Sequence, residues 1–320
     1  MTSRRQFVAS TMAAAGWYRL APAPAPAPAP APQSEMFALV LGTVQDGGLP
    51  QAGCYTPRCE AARRDPHYVA SLALIDPNAE RYYLVDATPD LTRQLDLIPG
   101  EAFRRRAQAR RPFDGIFLTH AHIGHYLGLA LLGREGLGMS RTPCYCSPAM
   151  AQYLSSNGPW SLMVSEGRLY FPAVGMNEWH RVDDALSVKL IPVPHRHEFS
   201  DTVAFVFRGP SRSLLYVPDI DKWEDWQVRV EDLVREVDVA LLDGSFYSPS
   251  EIPGRDIEDI PHPLIPHTMD LLQQAVRDGN RVVFTHLNNT NAALDEGSAA
   301  ARHVAQLGFE VAQAGMRFGL

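Results

Sequence analysis

Residues 119–125 read Thr-His-Ala-His-Ile-Gly-His and place three histidines within six residues. They directly follow residues 115–118, a short apolar run that predicts a buried strand. His120 and His122 are two residues apart, so in an extended chain their side chains point to the same side. His125 falls where we expect the first turn of the next helix. Imidazole is the commonest protein ligand for transition metals, so this stretch predicts a metal site.

Further ligand-type residues follow three later predicted strands. His195 comes after residues 187–193, Asp219 after residues 213–217, and His286 after residues 281–284. Strand ends that meet at one edge of a sheet bring such side chains together. We therefore expect these residues to join the histidines of residues 119–125 in one site.

The length and composition predict an ordinary folded protein. The chain has 320 residues, of which 46% are hydrophobic and 20% are charged, enough for one large domain or two small ones.

Two blocks of strands, each flanked by helices, predict a layered α/β architecture with packed sheets. Besides those above, we predict strands at residues 36–41, 69–75, 82–85, 203–207 and 237–242, and helices at residues 89–97, 102–109, 223–234 and 266–276.

The charge balance indicates what kind of partner to expect. The formal net charge is −7, and the only charged residues among the first 33 are three arginines, so the rest of the chain is more acidic still. An acidic body argues against a broad nucleic-acid interface. No run approaches the roughly 20 apolar residues that a membrane span requires. We expect a small-molecule substrate, no nucleic acid and no membrane span.

The first 33 residues differ in composition from the rest. Residues 3–7 read Ser-Arg-Arg-Gln-Phe, a short apolar stretch follows, and six Ala-Pro pairs fill residues 21–32. This order resembles a twin-arginine export signal followed by an extended linker. We expect residues 1–33 to be a leader and linker, residues 34–320 to form the folded domain, and the protein to be periplasmic. The alternative is a plain tail on a cytoplasmic protein.

Four cysteines leave several pairings open. Cys54 and Cys59 lie in a loop rich in proline and glycine, whereas Cys144 and Cys146 alternate within a predicted strand and so point to one face. Two disulfides, a structural zinc site and plain buried thiols all agree with this pattern.

Taken together, these motifs resemble the metallo-β-lactamase fold superfamily. The order His-x-His-x-x-His, then His, Asp and His carries the resemblance, which spans residues 36–314. Within it, residues 41–59, 86–91 and 284–291 are similar to the branch that contains the pyrroloquinoline quinone (PQQ) biosynthesis proteins. The resemblance implies an α/β fold of the αββα four-layer sandwich type, with metal ligands along one edge of the two sheets.

The resemblance also implies the ligand sets. We expect one or two ions, with zinc as the first expectation and manganese or iron as alternatives. The implied first site consists of His120, His122 and His195, and the implied second site consists of His125 and His286, with Asp219 bridging the two.

Three further positions, His197, Glu198 and Asp86, receive supporting roles. We choose His195 over His197 because His195 directly follows the strand-end proline. His197 and Glu198 are then candidates for a proton donor near the leaving group. Asp86 matches the position that supports the histidine loop through hydrogen bonds.

One position departs from the implied pattern. The superfamily usually has aspartate where this chain has Gly124, and glycine offers no side-chain ligand. We therefore expect a second site held by His125, His286 and Asp219 alone, with solvent completing it, and so a mononuclear or loosely binuclear centre.

The expected activity is hydrolysis of an ester, lactone or phosphodiester by metal-bound hydroxide. Two alternatives remain: a role in PQQ biosynthesis, by oxidation or carriage of a precursor, and metal-dependent binding without hydrolysis. His262 and His267, in a loop before a predicted helix, are interpreted as capping or surface residues.

Overall fold

The computed structural model describes residues 35–252, residue 254 and residues 261–320. Within this part of the chain, two seven-stranded sheets face each other. The first sheet has the strand order β14-β1-β2-β3-β4-β5-β6. Its strands are β1 (Phe37–Gly42), β2 (Ser71–Asp76), β3 (Arg81–Val85), β4 (Gly115–Phe117), β5 (Thr142–Tyr145), β6 (Leu169–Tyr170) and β14 (Arg317–Gly319).

The second sheet has the order β13-β12-β11-β10-β9-β8-β7. Its strands are β7 (Trp179–Arg181), β8 (Ser187–Val193), β9 (Thr202–Arg208), β10 (Ser213–Val217), β11 (Val239–Asp243), β12 (Arg281–Thr285) and β13 (Glu310–Val311).

Helices cover the outer faces of both sheets. The first sheet carries α2 (Leu91–Leu97), α3 (Glu101–Gln108), α4 (Ile123–Tyr126), α5 (Pro148–Ser156) and α6 (Trp160–Ser165), and the second carries α7 (Val230–Arg235), α8 (Ile265–Arg277) and α9 (Ala299–Gln306). A short helix, α1 (Pro57–Ala62), lies in the glycine-rich segment after β1, and 3₁₀ turns occupy Leu127–Leu132, Trp223–Asp225, Pro249–Glu251 and Ala292–Leu294.

Three apolar layers hold these elements together. The layer between the sheets contains Phe117, Phe205 and Phe207, whose rings contact one another at centroid distances of 5.0–5.6 Å. The other two layers lie between each sheet and its helices. The predicted αββα sandwich is therefore confirmed.

Parallel pairing sets the position of the strand ends. In the first sheet β3, β4 and β5 run parallel, and in the second β10, β11 and β12 do so. The residues that follow these strands consequently emerge at one edge of each sheet. This edge carries the histidine-rich loop and the two later ligand positions, Asp219 and His286.

One predicted helix is wrong in part. Residues 223–234 do not form a continuous helix, because the backbone of Trp226, between the Trp223–Asp225 turn and α7, has an extended conformation. The indole of Trp226 donates a hydrogen bond to the carbonyl oxygen of Pro192 at 2.6 Å. Burial of this large side chain against β8 therefore overrides the local helical preference.

The cysteines divide into two kinds. Cys54 and Cys59 form a disulfide, whereas Cys144 and Cys146 are free and buried on the same side of β5. Burial, together with the neighbouring thiol of Cys146, raises the pKa of Cys144 well above its usual value, so the Cys144 thiolate is disfavoured.

The predicted leader and linker, residues 1–33, lie outside the described residues. Among the described residues, the helices are all too short or too polar to cross a membrane.

Candidate metal centre

Asp86 positions the histidine loop. It lies directly after β3, is fully buried, and adopts a positive φ of 61°, a conformation that is uncommon for a residue other than glycine. Its carboxylate accepts hydrogen bonds from the backbone N–H of Thr119 at 2.9 Å and from His125 Nδ1 at 2.8 Å. The predicted supporting role of Asp86 is thus confirmed.

Four side chains form the first group of ligand atoms, namely His120, His122, His195 and Asp219. His122 Nδ1 lies 3.0 Å from His120 Nε2 and 3.1 Å from His195 Nε2. Asp219 Oδ2 lies 3.4 Å from His120 Nε2 and 3.1 Å from His195 Nε2. Ligands that surround one zinc ion tetrahedrally at ~2.0–2.1 Å are about 3.3 Å apart, so this group has the spacing of a metal site.

A second group adjoins the first through the same carboxylate oxygen. His125 Nε2 and His286 Nε2 are 3.3 Å apart, and they lie 3.9 Å and 3.8 Å from Asp219 Oδ2. Asp46 Oδ1 completes this group, at 3.3 Å from His125 Nε2 and 3.7 Å from His286 Nε2.

The outward-facing nitrogens show how each ring is held. In each of the five clustered histidines, the nitrogen that faces away from the cluster lies 2.6–3.2 Å from an oxygen. The pairs are His120 with Thr119, His122 with Glu198, His125 with Asp86, His195 with Asp221, and His286 with Ser245. A neutral ring that donates outward turns its unprotonated nitrogen inward. Five ring nitrogens therefore face the same small volume.

Two carboxylate oxygens near these ring nitrogens lack a hydrogen-bond donor. Asp46 Oδ1 and Asp219 Oδ1 are buried and accept no hydrogen bond, although His262 Nδ1 lies 3.4 Å from the latter. Unpaired buried oxygens are costly unless a cation binds beside them. The residues present therefore fit a metal ion.

The titration behaviour of the cluster points the same way. Burial opposes ionisation of Asp219, but positive charge on His286 and His195 outweighs it and holds the pKa of Asp219 well below its usual range. Burial disfavours the protonated form of His195, yet Asp219 and Asp221 overcome this and raise its pKa to about 9. The centre thus attracts positive charge, which a proton or a metal ion supplies.

The structure brings all six predicted ligands into this cluster, which comprises His120, His122, His125, His195, Asp219 and His286. Of the two histidines between which the sequence left a close choice, His195 is buried and belongs to the cluster, whereas His197 is exposed and outside it. Glu198 is 47% exposed, and its Oε2 lies 3.0 Å from His122 Nε2. This hydrogen bond lowers the pKa of Glu198, so its carboxylate form is favoured.

Sequence reasoning missed two residues of the centre. Asp46 belongs to the glycine-rich segment after β1, where nothing in the local pattern indicates a ligand. The interpretation of His262 as a capping or surface residue is wrong: its Nδ1 lies 2.9 Å from Asp243 Oδ2, next to the cluster. His267, by contrast, is confirmed as a surface residue, and it pairs with Glu224 at 2.7 Å.

A cavity of about 190 Å³ lies beside the second group. Asp46, Asp219 and His286 form part of its wall, and Arg196 and Asn288 also line it. Its lining is therefore strongly polar and carries one guanidinium. A larger cavity, of about 520 Å³, shares none of the clustered ligands, so the smaller one is the candidate substrate cavity.

Fold and centre together define the class of protein. The beta-lactamase superfamily domain model matches residues 81–287, which reach from β3 to the end of the His286 loop. The chain belongs to this family, as its motifs predict.

Known proteins are similar to the chain over most of its length. The coenzyme PQQ synthesis protein B of Methylobacterium nodulans is 28% identical over 310 residues, covering 89% of this chain and all of that protein. The structure of Zn²⁺-bound PqqB from Methylobacterium extorquens superposes with a TM-score of 0.74 at 22% identity, covering 89% of this chain and 100% of that one. A diphosphatase of the PhnP family has a TM-score of 0.61 at 20% identity, covering 90% and 98%.

Proposed function

We propose that this protein is a metal-dependent hydrolase that cleaves an ester, lactone or phosphodiester bond of a small molecule. The single observation that carries the proposal is the set of five inward-facing imidazole nitrogens around Asp219. Zinc is the ion that we propose first, since three histidine ligands with an open position are the usual arrangement of catalytic zinc. Manganese and iron are the alternatives.

The residues divide the work between two adjacent positions. His120, His122 and His195 would hold the first ion, His125 and His286 would hold the second, and Asp219 Oδ2 lies between the two groups. When bound, a divalent ion activates water at neutral pH and withdraws charge from a carbonyl or phosphoryl oxygen.

The protein's own side chains orient the site and receive the substrate. Asp86, Asp221 and Glu198 fix the rings of three clustered histidines, so little reorganisation is needed on binding. Glu198 Oε2 lies 3.0 Å from His122 Nε2 and so positions this ring. His197, which is exposed and lies two residues after His195 in the chain, is the proposed proton donor to the leaving group.

The lining of the small cavity supports a phosphodiester among the three bond types. Arg196 supplies a positive charge, and Asn288 and Gln45 supply amide groups. A guanidinium binds phosphate oxygens more strongly than it binds a neutral ester or lactone.

The test is turnover by the purified protein after loading with Zn²⁺ or Mn²⁺. We expect cleavage of bis-p-nitrophenyl phosphate to exceed cleavage of p-nitrophenyl acetate and of a lactone. His120→Ala should abolish cleavage, whereas His267→Ala, which removes a surface imidazole, should leave it unchanged. No turnover across the whole panel with bound metal verified would overturn the proposal.

A role in PQQ biosynthesis is the second candidate. It is favoured by the similarity to a PQQ synthesis protein over 89% of the chain. Deleting the gene and measuring PQQ in the producing organism separates the candidates, because a hydrolase outside that pathway leaves the PQQ level unchanged.

We propose further that residues 1–33 direct export to the periplasm. The support is the Arg4-Arg5 pair with the Ala-Pro run, together with the Cys54–Cys59 disulfide, since disulfides persist in oxidising compartments. Fusing residues 1–33 to a folded reporter should export the reporter, and replacing both arginines by lysine should retain it in the cytoplasm. Cytoplasmic retention of the unaltered fusion would contradict export.

A further inference from the structure

We propose that Asp46 is a ligand of the second metal ion, and that Gly124 leaves the space which the Asp46 carboxylate occupies. The inference deepens the proposed function and depends on its metal site. It assigns to the glycine-rich segment after β1 a ligand that the histidine loop itself does not provide.

The position of the Asp46 carboxylate is the first line of evidence. Asp46 Oδ1 lies 3.3 Å from His125 Nε2 and 3.7 Å from His286 Nε2. The same oxygen is buried and accepts no hydrogen bond from the protein. A buried carboxylate oxygen that faces two imidazole nitrogens, and has no donor of its own, is placed as a metal ligand is placed.

The space around Gly124 is the second line of evidence. A Cβ atom built on Gly124 would lie 2.1 Å from Asp46 Oδ1 and 2.7 Å from Asp46 Cα. Any side chain at position 124 would therefore displace both the carboxylate and its backbone. Gly124 thus accounts for the missing ligand and for the place of its substitute, and the expectation of a site completed by solvent alone is revised.

The backbone holds Asp46 in this position. The Gln45 N–H donates to the carbonyl oxygen of Leu287 at 3.0 Å, and the Leu287 N–H donates to the carbonyl oxygen of Thr43 at 2.9 Å. These bonds join the Asp46 segment to the residue that follows His286. Asp46 and His286 are consequently held in place by the same pair of backbone hydrogen bonds.

Substitutions at the two positions test the inference directly. We would measure metal content by mass spectrometry and Zn²⁺ affinity by titration for the full chain and for Asp46→Ala, Gly124→Asp and the double variant. Asp46→Ala should keep the first ion and weaken binding of the second at least tenfold. Gly124→Asp should also lose the second ion, because its Cβ atom collides with Asp46. The double variant should not recover it, since the Cβ atom at position 124 would still lie 2.7 Å from the Cα atom of residue 46.

Controls separate this outcome from misfolding and from failure of the proposed function. Asp90→Asn changes a half-buried carboxyl group that precedes α2 and lies near Gly48 of the glycine-rich segment, and it should keep both ions. Thermal unfolding of each variant verifies folding. An unchanged second-ion affinity in folded Asp46→Ala, or in folded Gly124→Asp, overturns the inference. Metal counts that follow the prediction in a protein without hydrolysis overturn the proposed function and leave the role of Asp46 standing.

Discussion

At the scale of single residues, the centre depends on oxygen atoms that do not face the metal position. The carboxylates of Asp86 and Asp221 bond the outward nitrogens of His125 and His195. They thereby select the ring tautomer whose lone pair faces inward. A cluster of histidines without such partners would bind protons and water in several arrangements.

Removing one of these partners should weaken metal binding without removing a ligand. Asp221 Oδ1 lies 2.6 Å from His195 Nδ1, and we expect Asp221→Ala to lower the Zn²⁺ affinity of the first site about tenfold to a hundredfold. Competition with a chromophoric chelator measures the change. Asp225→Ala, an exposed carboxylate in the same segment, serves as the control, and equal affinities in the two variants would contradict the prediction.

The sequence predicted the ligands that follow strands and missed those that do not. His120, Asp219 and His286 could be predicted as ligands because each follows an apolar run that predicts a strand. Asp46 and His262 reach the centre through contacts between segments far apart in the chain, such as the bond from Gln45 to Leu287. Local periodicity carries no information about such contacts.

At the scale of elements, close packing sets where the histidine loop lies. The turn Leu127–Leu132 that follows α4 approaches the chain just after Asp86, and the Gly128 N–H donates to the carbonyl oxygen of Ala87 at 2.9 Å. A Cβ on Gly128 would lie 1.9 Å from the carbonyl oxygen of Thr88. The glycine is therefore required for this approach, which fixes the position of His125.

Gly128→Ala should lower the free energy of unfolding by about 1–3 kcal/mol, because the added methyl group meets backbone atoms that must move. Denaturant titration of the metal-free protein measures this difference. The control is Gly319→Ala, where no atom lies within 4 Å of the new methyl group and the change should stay within about 0.5 kcal/mol. Equal stabilities of the two variants would rule out the close approach as a constraint.

Asp183 links the two sheets at a place away from the metal centre. Asp183, in the turn between β7 and β8, pairs with Arg81 at 2.6 Å and accepts a hydrogen bond from the Tyr83 hydroxyl, and both of these partners lie on β3. Burial disfavours the charged form of Asp183, but the bonds from Tyr83 and Arg81 outweigh it and hold its pKa below the usual value.

This contact predicts a pH-dependent stability. Because the folded-state pKa of Asp183 is lowered, its contribution is present above the unfolded-state pKa of about 3.9 and is lost as the pH falls through the folded-state pKa. Asp183→Asn should therefore destabilise the protein by about 1–3 kcal/mol at pH 7. The difference should shrink below about pH 4. A difference that is the same at pH 7 and pH 3, measured by denaturant titration, would contradict this assignment.

At the scale of the whole molecule, the two sheets act as a frame that brings distant residues to one edge. The first sheet contributes the histidine loop, and the second contributes Asp219 and His286 after the parallel strands β10 and β12. Two blocks of strands flanked by helices predicted the packed sheets, and the resemblance to the superfamily implied the four layers and the ligand edge. The broken helix at Trp226 was not predictable, since its cause is a tertiary contact with Pro192.

Anomalous X-ray diffraction at the zinc edge, from crystals of the Zn²⁺-loaded protein, tests the metal centre most directly. We expect a peak bounded by His120 Nε2, His122 Nδ1, His195 Nε2 and Asp219 Oδ2, which disappears in His120→Ala crystals treated in the same way. Rings that remain hydrogen-bonded to one another around a position without anomalous density, in protein crystallised with excess Zn²⁺, would contradict it.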